Sequence, residues 1–285
     1  MADQVKTRFA PSPTGALHLG HAYSALVAAH LGRGYHLRID DIDHTRCRPE
    51  HTERIYDDLT FLGLDWTGEP TFQSDRLAAY EDALQTLREK DLVYACYLTR
   101  SELSTVLSAP QEAPRNTDNV LPEDEQLRRA ETGMAPAWRL RTEEALSLAG
   151  DISWPDLRTV THRVVDMTEH GDVIIARRDI GTSYHLSVVI DDAIDKVTLV
   201  TRGADLEHST HVHRLLQALL GLPAPAYFHH ELVRDAAGDR LAKRSRSQSI
   251  AELRTSGLTA TNILSLLPTL PDMTQSGRDF DILVN

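Results

Sequence analysis

The chain has 285 residues, 41% hydrophobic and 25% charged, which is an ordinary globular composition with length enough for a sizeable core in one or two domains. Only Cys47 and Cys96 are present, which excludes a disulfide framework and a four-cysteine zinc site; no apolar stretch reaches the roughly 18 residues of a membrane helix. A net charge of −12, from 30 basic and 42 acidic residues, argues against indiscriminate coating of nucleic acid but leaves room for a local basic face.

The first residues carry no apolar signal core, so a cytoplasmic location is the expectation, with no membrane association. Residues 5–9 alternate like a strand, and RFAPSPTGALHLGH (8–21) then turns through Pro11, Pro13 and Gly15 into a helical pattern. That geometry sets the first N–H groups of a helix at the end of a strand, with the imidazoles of His18 and His21 beside them, an anion site suited to nucleotide phosphate. Residues 22–31 have helical spacing and stop at Gly32 and Gly34; residues 35–39 read as a second strand, completing a βαβ unit. Asp40 follows at the strand's carboxyl end, the side that faces the crevice in open α/β sheets, while Asp43 is expected to cap the next helix. Helical patterns continue to Gly63 and over 75–89.

The middle is different in character. A strand at 93–98 is followed by an aperiodic loop at 108–119, a short polar helix at 123–131 and three alternating strands at 137–141, 159–166 and 172–176. Residues 183–190 form a buried helix or strand; 197–200 read as a parallel strand that puts Arg202 at a second strand mouth; 211–220 are helical and 227–232 a strand. RLAKRSRS (240–247) is the most basic stretch, read either as a solvated run or as a lysine loop over a triphosphate. One or two helices follow over 250–267, and 268–285 is expected to be poorly ordered.

Residues 8–21 resemble the "HIGH" signature of class I aminoacyl-tRNA synthetases in its glutamyl form, and the segments 37–46, 63–66, 73–76, 184–192, 202–206 and 240–244 match the same catalytic core in the same order. With about 40 residues after the lysine loop, the chain resembles the family of truncated glutamyl-tRNA synthetase paralogues that attach glutamate to queuosine in tRNA(Asp). The resemblance implies an α/β fold: a Rossmann-like class I core in two halves (1–93 and 183–235), an inserted β-rich connective subdomain (94–182), and a lysine loop with a short helical C-terminal piece (236–285). It implies a ligase, expected as a monomer, that activates L-glutamate with ATP and Mg²⁺ without tRNA and transfers it to queuosine-34 of tRNA(Asp). The residues it assigns to glutamate are Arg8, Ala10, Ser12, Asp40, Tyr184 and Arg202. Those assigned to ATP and catalysis are His18, Gly20, His21 and Lys243. Arg8 and Arg202 would fork onto the side-chain carboxylate, Asp40 would take the α-ammonium and Lys243 would steady the departing pyrophosphate. A compact synthetase charging a tRNA 3′ end, and a non-catalytic nucleotide-binding relic, are the rival readings.

Three departures from the family pattern stand out. Asp40 stands for the usual Glu, as in glutaminyl enzymes; Arg240 and Ala242 replace Lys and Ser; and Cys96 is followed by Leu98 in place of a second cysteine, so no zinc is expected.

Overall fold

The computed structural model describes residues 5–99, 101–103, 121–233 and 248–272. Its first half runs β1 (Arg8–Phe9), α1 (Leu19–Gly32), β2 (His36–Ile39), α2 (Pro49–Phe61), β3 (Thr71–Phe72) and α3 (Leu77–Glu89). The three strands are parallel in the order β1-β2-β3, with Arg8 opposite His36 and Ile39 opposite Phe72. α1 can lie close along β1 because Gly32 has no side chain: a Cβ there would come within 2.2 Å of Thr7 Oγ1, which itself donates to the carbonyl of Ala28.

The middle holds β4 (Val93–Cys96), α4 (Glu123–Glu131), β5 (Ala137–Leu140), α5 (Thr142–Ala149), β6 (Ser153–Asp156), β7 (Thr161–Val164) and β8 (Ile174–Ala176). β4, β5 and β8 form an antiparallel sheet of their own. β6 and β7 do not join it. β6 pairs with the strand β10 (Ala226–His230), so this hairpin extends the core sheet although it lies inside the 94–182 span assigned to the insert.

The second half consists of α6 (Tyr184–Ile194), β9 (Leu199–Gly203), α7 (Ser209–Leu220) and β10, followed by α8 (Ile250–Thr255) and α9 (Ala260–Leu264). Residues 183–190, open between helix and strand in the sequence, are helical because Ser183 caps the segment, accepting from Leu186 N–H. β9 and β10 are parallel, and the Lys6 carbonyl accepts from the amides of Thr198 and Leu199. That stitch sets β9 beside β1 and gives the order β3-β2-β1-β9-β10, with the carboxyl ends of β1 and β9 adjacent at the reversal point, where open α/β sheets bind ligands.

One local expectation is corrected. Asp43 does not cap α2, whose N-cap is Arg48 with Pro49 opening the helix; Asp43 instead accepts from Thr45 and Arg46 in the preceding turn. Of the 268–285 segment, residues 273–285 lie outside the described residues; in the described part, Tyr23 Oη donates to the Thr269 carbonyl and His30 is bonded to that of Pro271.

Candidate active site

The turn after β1 is organised by its own histidines. His18 is the N-cap of α1: its Nδ1 accepts from Gly20 N–H at 3.1 Å, and its backbone N–H donates to His21 Nδ1 at 3.2 Å. The rings lie 3.8 Å apart, tilted by 31°. With both Nδ1 atoms accepting, a ring proton sits on each Nε2, so two adjacent N–H donors flank the positive end of a 14-residue helix. The chain also returns here. Ser249 bridges to His18, and Ile250 N–H donates to the Leu17 carbonyl.

A lattice of arginines and aspartates lies beneath the crevice. Arg38 on β2 is fully buried; its Nε donates to Asp40 at 2.8 Å and its Nη1 to Asp192 at 2.7 Å. Arg8 donates through Nε to Asp192 at 2.9 Å and through Nη1 to the Thr201 carbonyl. Asp191 accepts from Gln73, Arg76 and Tyr80, and Arg76 also reaches Asp195 at 2.5 Å. Burial alone would raise the Asp192 carboxyl, but Arg8 and Arg38 outweigh it and hold the group below its ordinary range. At Asp40 burial wins over the pull of Arg38, and the carboxyl is pushed up to about 6. Its Oδ1 is taken by Arg38, which leaves Oδ2 for a ligand.

Arg202, at the end of β9, is 5% exposed and has different company. It donates to Thr210 Oγ1 at 2.7 Å, His213 Nδ1 at 3.0 Å, His229 Nε2 at 3.3 Å and Tyr184 Oη at 3.4 Å, and lies over the Tyr227 ring. Among the described residues no carboxylate pairs with it.

These features share one cavity of about 480 Å³. Arg8, Ala10, Ser12, His18, Gly20, His21, Asp40, Tyr184 and Arg202 all line it, so nine of the ten residues singled out in the sequence are brought together. The tenth, Lys243, lies outside the described residues; the described chain on either side of 234–247 reaches the cavity wall at Val233 and the signature turn at Ser249. Arg8 is not an open cation as expected: two of its nitrogens are committed to Asp192 and Thr201.

Sequence reasoning missed Val188 and His230, which also line the cavity, and the buried His213 and His229 behind Arg202. Val188 was findable, since it follows Tyr184 by one helical turn and shares its face. His230 reaches the site by register alone, from β10 onto Ser24 of α1 at 3.0 Å.

Residues 4–278 match the family described as tRNA synthetases class I (E and Q), catalytic domain. The chain is 44% identical over 279 residues to a protein of Rhodobacter capsulatus named glutamyl-Q tRNA(Asp) synthetase, covering 92% of this chain and 99% of that one. It is 39% identical over 281 residues to a glutamate–tRNA ligase of Synechococcus sp. CC9902, covering 93% of this chain but only 58% of that enzyme. In three dimensions it is similar to a glutamate tRNA ligase of Elizabethkingia meningosepticum in complex with its amino acid, with TM-score 0.69 and 26% identity over 90% of this chain and 54% of that one.

Proposed function

The chain belongs to the catalytic-domain family of class I glutamyl and glutaminyl tRNA synthetases, and from that premise we propose that it activates L-glutamate with ATP and transfers it to queuosine-34 of tRNA(Asp). The observation that carries the glutamate half is the buried guanidinium of Arg202, open to the cavity and paired with no carboxylate among the described residues. A glutamate side chain supplies the missing anion, and a glutamine amide would leave the charge unmatched. The queuosine half is supported by similarity along nearly the whole of the Rhodobacter capsulatus protein named for that activity.

The chemistry follows from charge placement. A carboxylate oxygen of the glutamate α-carboxyl attacks the ATP α-phosphorus, the bond to the β-phosphate bridging oxygen breaks, and glutamyl-adenylate and pyrophosphate form. The α1 N-terminus with the Nε2–H groups of His18 and His21 holds the phosphates, Gly20 allowing close approach, while Lys243 is the proposed counter-charge for pyrophosphate. Asp40 Oδ2 takes the α-ammonium, Arg202 grips the side-chain carboxylate with Tyr184 alongside, and Ala10 and Ser12 wall the pocket. Arg8 acts mainly by holding Asp192 and the β9 carbonyl in place. A hydroxyl of the queuosine cyclopentene diol then attacks the activated carbonyl and AMP departs.

ATP brings Mg²⁺ with it. Among the described residues no group of three His, Cys, Asp or Glu is arranged to hold a metal, so no resident ion is assigned and no step runs through one. Cys96 packs with Tyr94 and Leu98 in an apolar cluster, a donor set that does not fit zinc.

Pyrophosphate exchange tests the reading. Glutamate supporting exchange without tRNA, and transfer to queuosine-bearing tRNA(Asp) but not to the same tRNA lacking queuosine, is the expected result. Exchange that requires tRNA, or charging of the queuosine-free tRNA, would instead indicate an enzyme that acts on the 3′ end.

A further inference from the structure

The surroundings of Arg202 are unusual for a buried guanidinium. Arginine carries five N–H donors and a charge that no protein environment removes. The usual solution is a carboxylate, and this molecule uses it repeatedly, at Arg8, Arg38 and Arg76. At Arg202 every acceptor is neutral: a threonine hydroxyl, a tyrosine hydroxyl and two imidazoles, His213 at 2% exposure and His229 at 1%.

The guanidinium dictates the state of both rings. His213 Nδ1 accepts from Arg202 Nη1, so the His213 proton is on Nε2, where it is donated to His185 Nδ1 at 3.1 Å. The Thr210 hydroxyl accepts from Arg202 Nη2 and passes its own proton to His229 Nε2 at 3.1 Å. His229 Nε2 therefore accepts from both Thr210 and Arg202, and its proton is on Nδ1, an atom buried without a hydrogen-bond partner among the described residues. Two neutral histidines are thus fixed as opposite tautomers around one cation, and one of them leaves a polar N–H unsatisfied to do so. Burial, followed by the Arg202 charge, pushes His213 well below the ordinary imidazole range and His229 down to about 3, in keeping with neutral rings at neutral pH.

An arrangement that only had to stabilise Arg202 would be better served by an aspartate at either position. A carboxylate there would also cancel the charge that an incoming anionic side chain needs, and would repel that side chain. We infer that His213, with Thr210 and His229, is a specificity-determining positioning group: it aims the Arg202 guanidinium into the cavity while leaving its charge unspent for the substrate's side-chain carboxylate. Since this rests on Arg202 being the grip for glutamate, the tests must separate the two ideas.

In the full chain, His213→Leu removes the acceptor, His213→Asn restores an oxygen near the place of Nδ1, and His213→Asp discharges the cation. In glutamate-dependent pyrophosphate exchange, His213→Leu should raise the glutamate KM about tenfold or more with the ATP KM within about twofold, and His213→Asn should recover to within about threefold of wild type. His213→Asp should lose discrimination between glutamate and glutamine. An unchanged glutamate KM in His213→Leu, a parallel rise in both KM values, or no recovery in His213→Asn overturns the inference. If wild type shows no exchange with glutamate, it is the functional proposal that fails, and the cradle is then judged by imidazole ¹⁵N spectra of the wild-type chain. His213 should be neutral with Nδ1 bare across neutral pH; a cationic ring or a protonated Nδ1 overturns the inference regardless of activity and of how well any variant folds.

Discussion

Arg38 and Arg202 are both buried arginines near the carboxyl ends of parallel strands, and they are held in opposite ways. Arg38 is bonded to Asp40 and Asp192 and lies within 3.6 Å of Asp191, so its charge is absorbed by the protein. Arg202 is satisfied as a hydrogen-bond donor but not as a charge. The first arrangement ties β2 to α6 and makes scaffold; the second leaves an electrostatic demand that a ligand fulfils. Hydrogen-bond count alone would not tell them apart, because the distinction is whether the acceptors are ionised.

The sharpest way to break that distinction is to remove a partner from the first group. Asp191→Ala leaves Gln73 and Tyr80 without their acceptor and Arg76 with Asp195 alone, and should cost about 3–5 kcal/mol in urea unfolding, since several buried donors lose a carboxylate at once. Arg202→Gln should do the reverse: glutamate kcat/KM falls about 100-fold or more, while stability stays within about 1 kcal/mol of wild type or rises, because an undischarged buried charge has been withdrawn. Equal losses of stability in the two variants would erase the contrast.

Asp40 joins the two regions and gives a pH test. Its folded pKa, about 6, lies above the ordinary value of 3.8, so the native state binds this proton more tightly than the unfolded chain does. The stability it contributes is present below pH 4 and is lost as pH rises through about 6; it is measured as the difference in unfolding free energy from Asp40→Asn at each pH. Ligand binding has the opposite sign. Holding an α-ammonium needs the ionised carboxylate, so the glutamate KM should climb as pH falls below about 6 while the ATP KM stays level. A flat glutamate KM from pH 5 to 8 would remove Asp40 from the ammonium site.

The smallest expected effect is at the periphery, where Arg129 is held by Glu102 and Glu125 in a half-exposed version of the carboxylate-paired arrangement. The expectation that no zinc is bound near these segments has a direct check: a chelator should shift Tm by less than about 1 °C, and purified protein should carry no equivalent of zinc.

Part of the cavity was legible in the sequence because its residues lie at fixed offsets from local signals, His18 and His21 from the Pro/Gly turn and Asp40 and Arg202 from the ends of apolar strands, while Ala10 and Ser12 came from the family resemblance. The environment of each residue was not legible. Arg8 reads as an open cation until α6 brings Asp192 to it across 184 positions of chain. His213 sits on the buried face of α7 among Val212 and Leu216, where a histidine reads as core, and its meaning depends on the strand that presents Arg202 to it. The pairing of β6 with β10 was hidden for the same reason, because register between distant strands leaves no local trace. Asp43 misled because an aspartate before a helical run resembles a cap, whereas Pro49 fixes where α2 begins.

The junction at Leu17 and His18 bears on what happens if the backbone is cut. Ile250, Leu253 and Ile263 are buried in the same cluster as Leu17, Ala22 and Leu59, so the segment beginning at Ser249 is held to α1 by apolar contact. A split version expressed as two polypeptides divided between Val233 and Ser249 should therefore reassemble around the histidine turn, co-migrate on gel filtration and part only in denaturant.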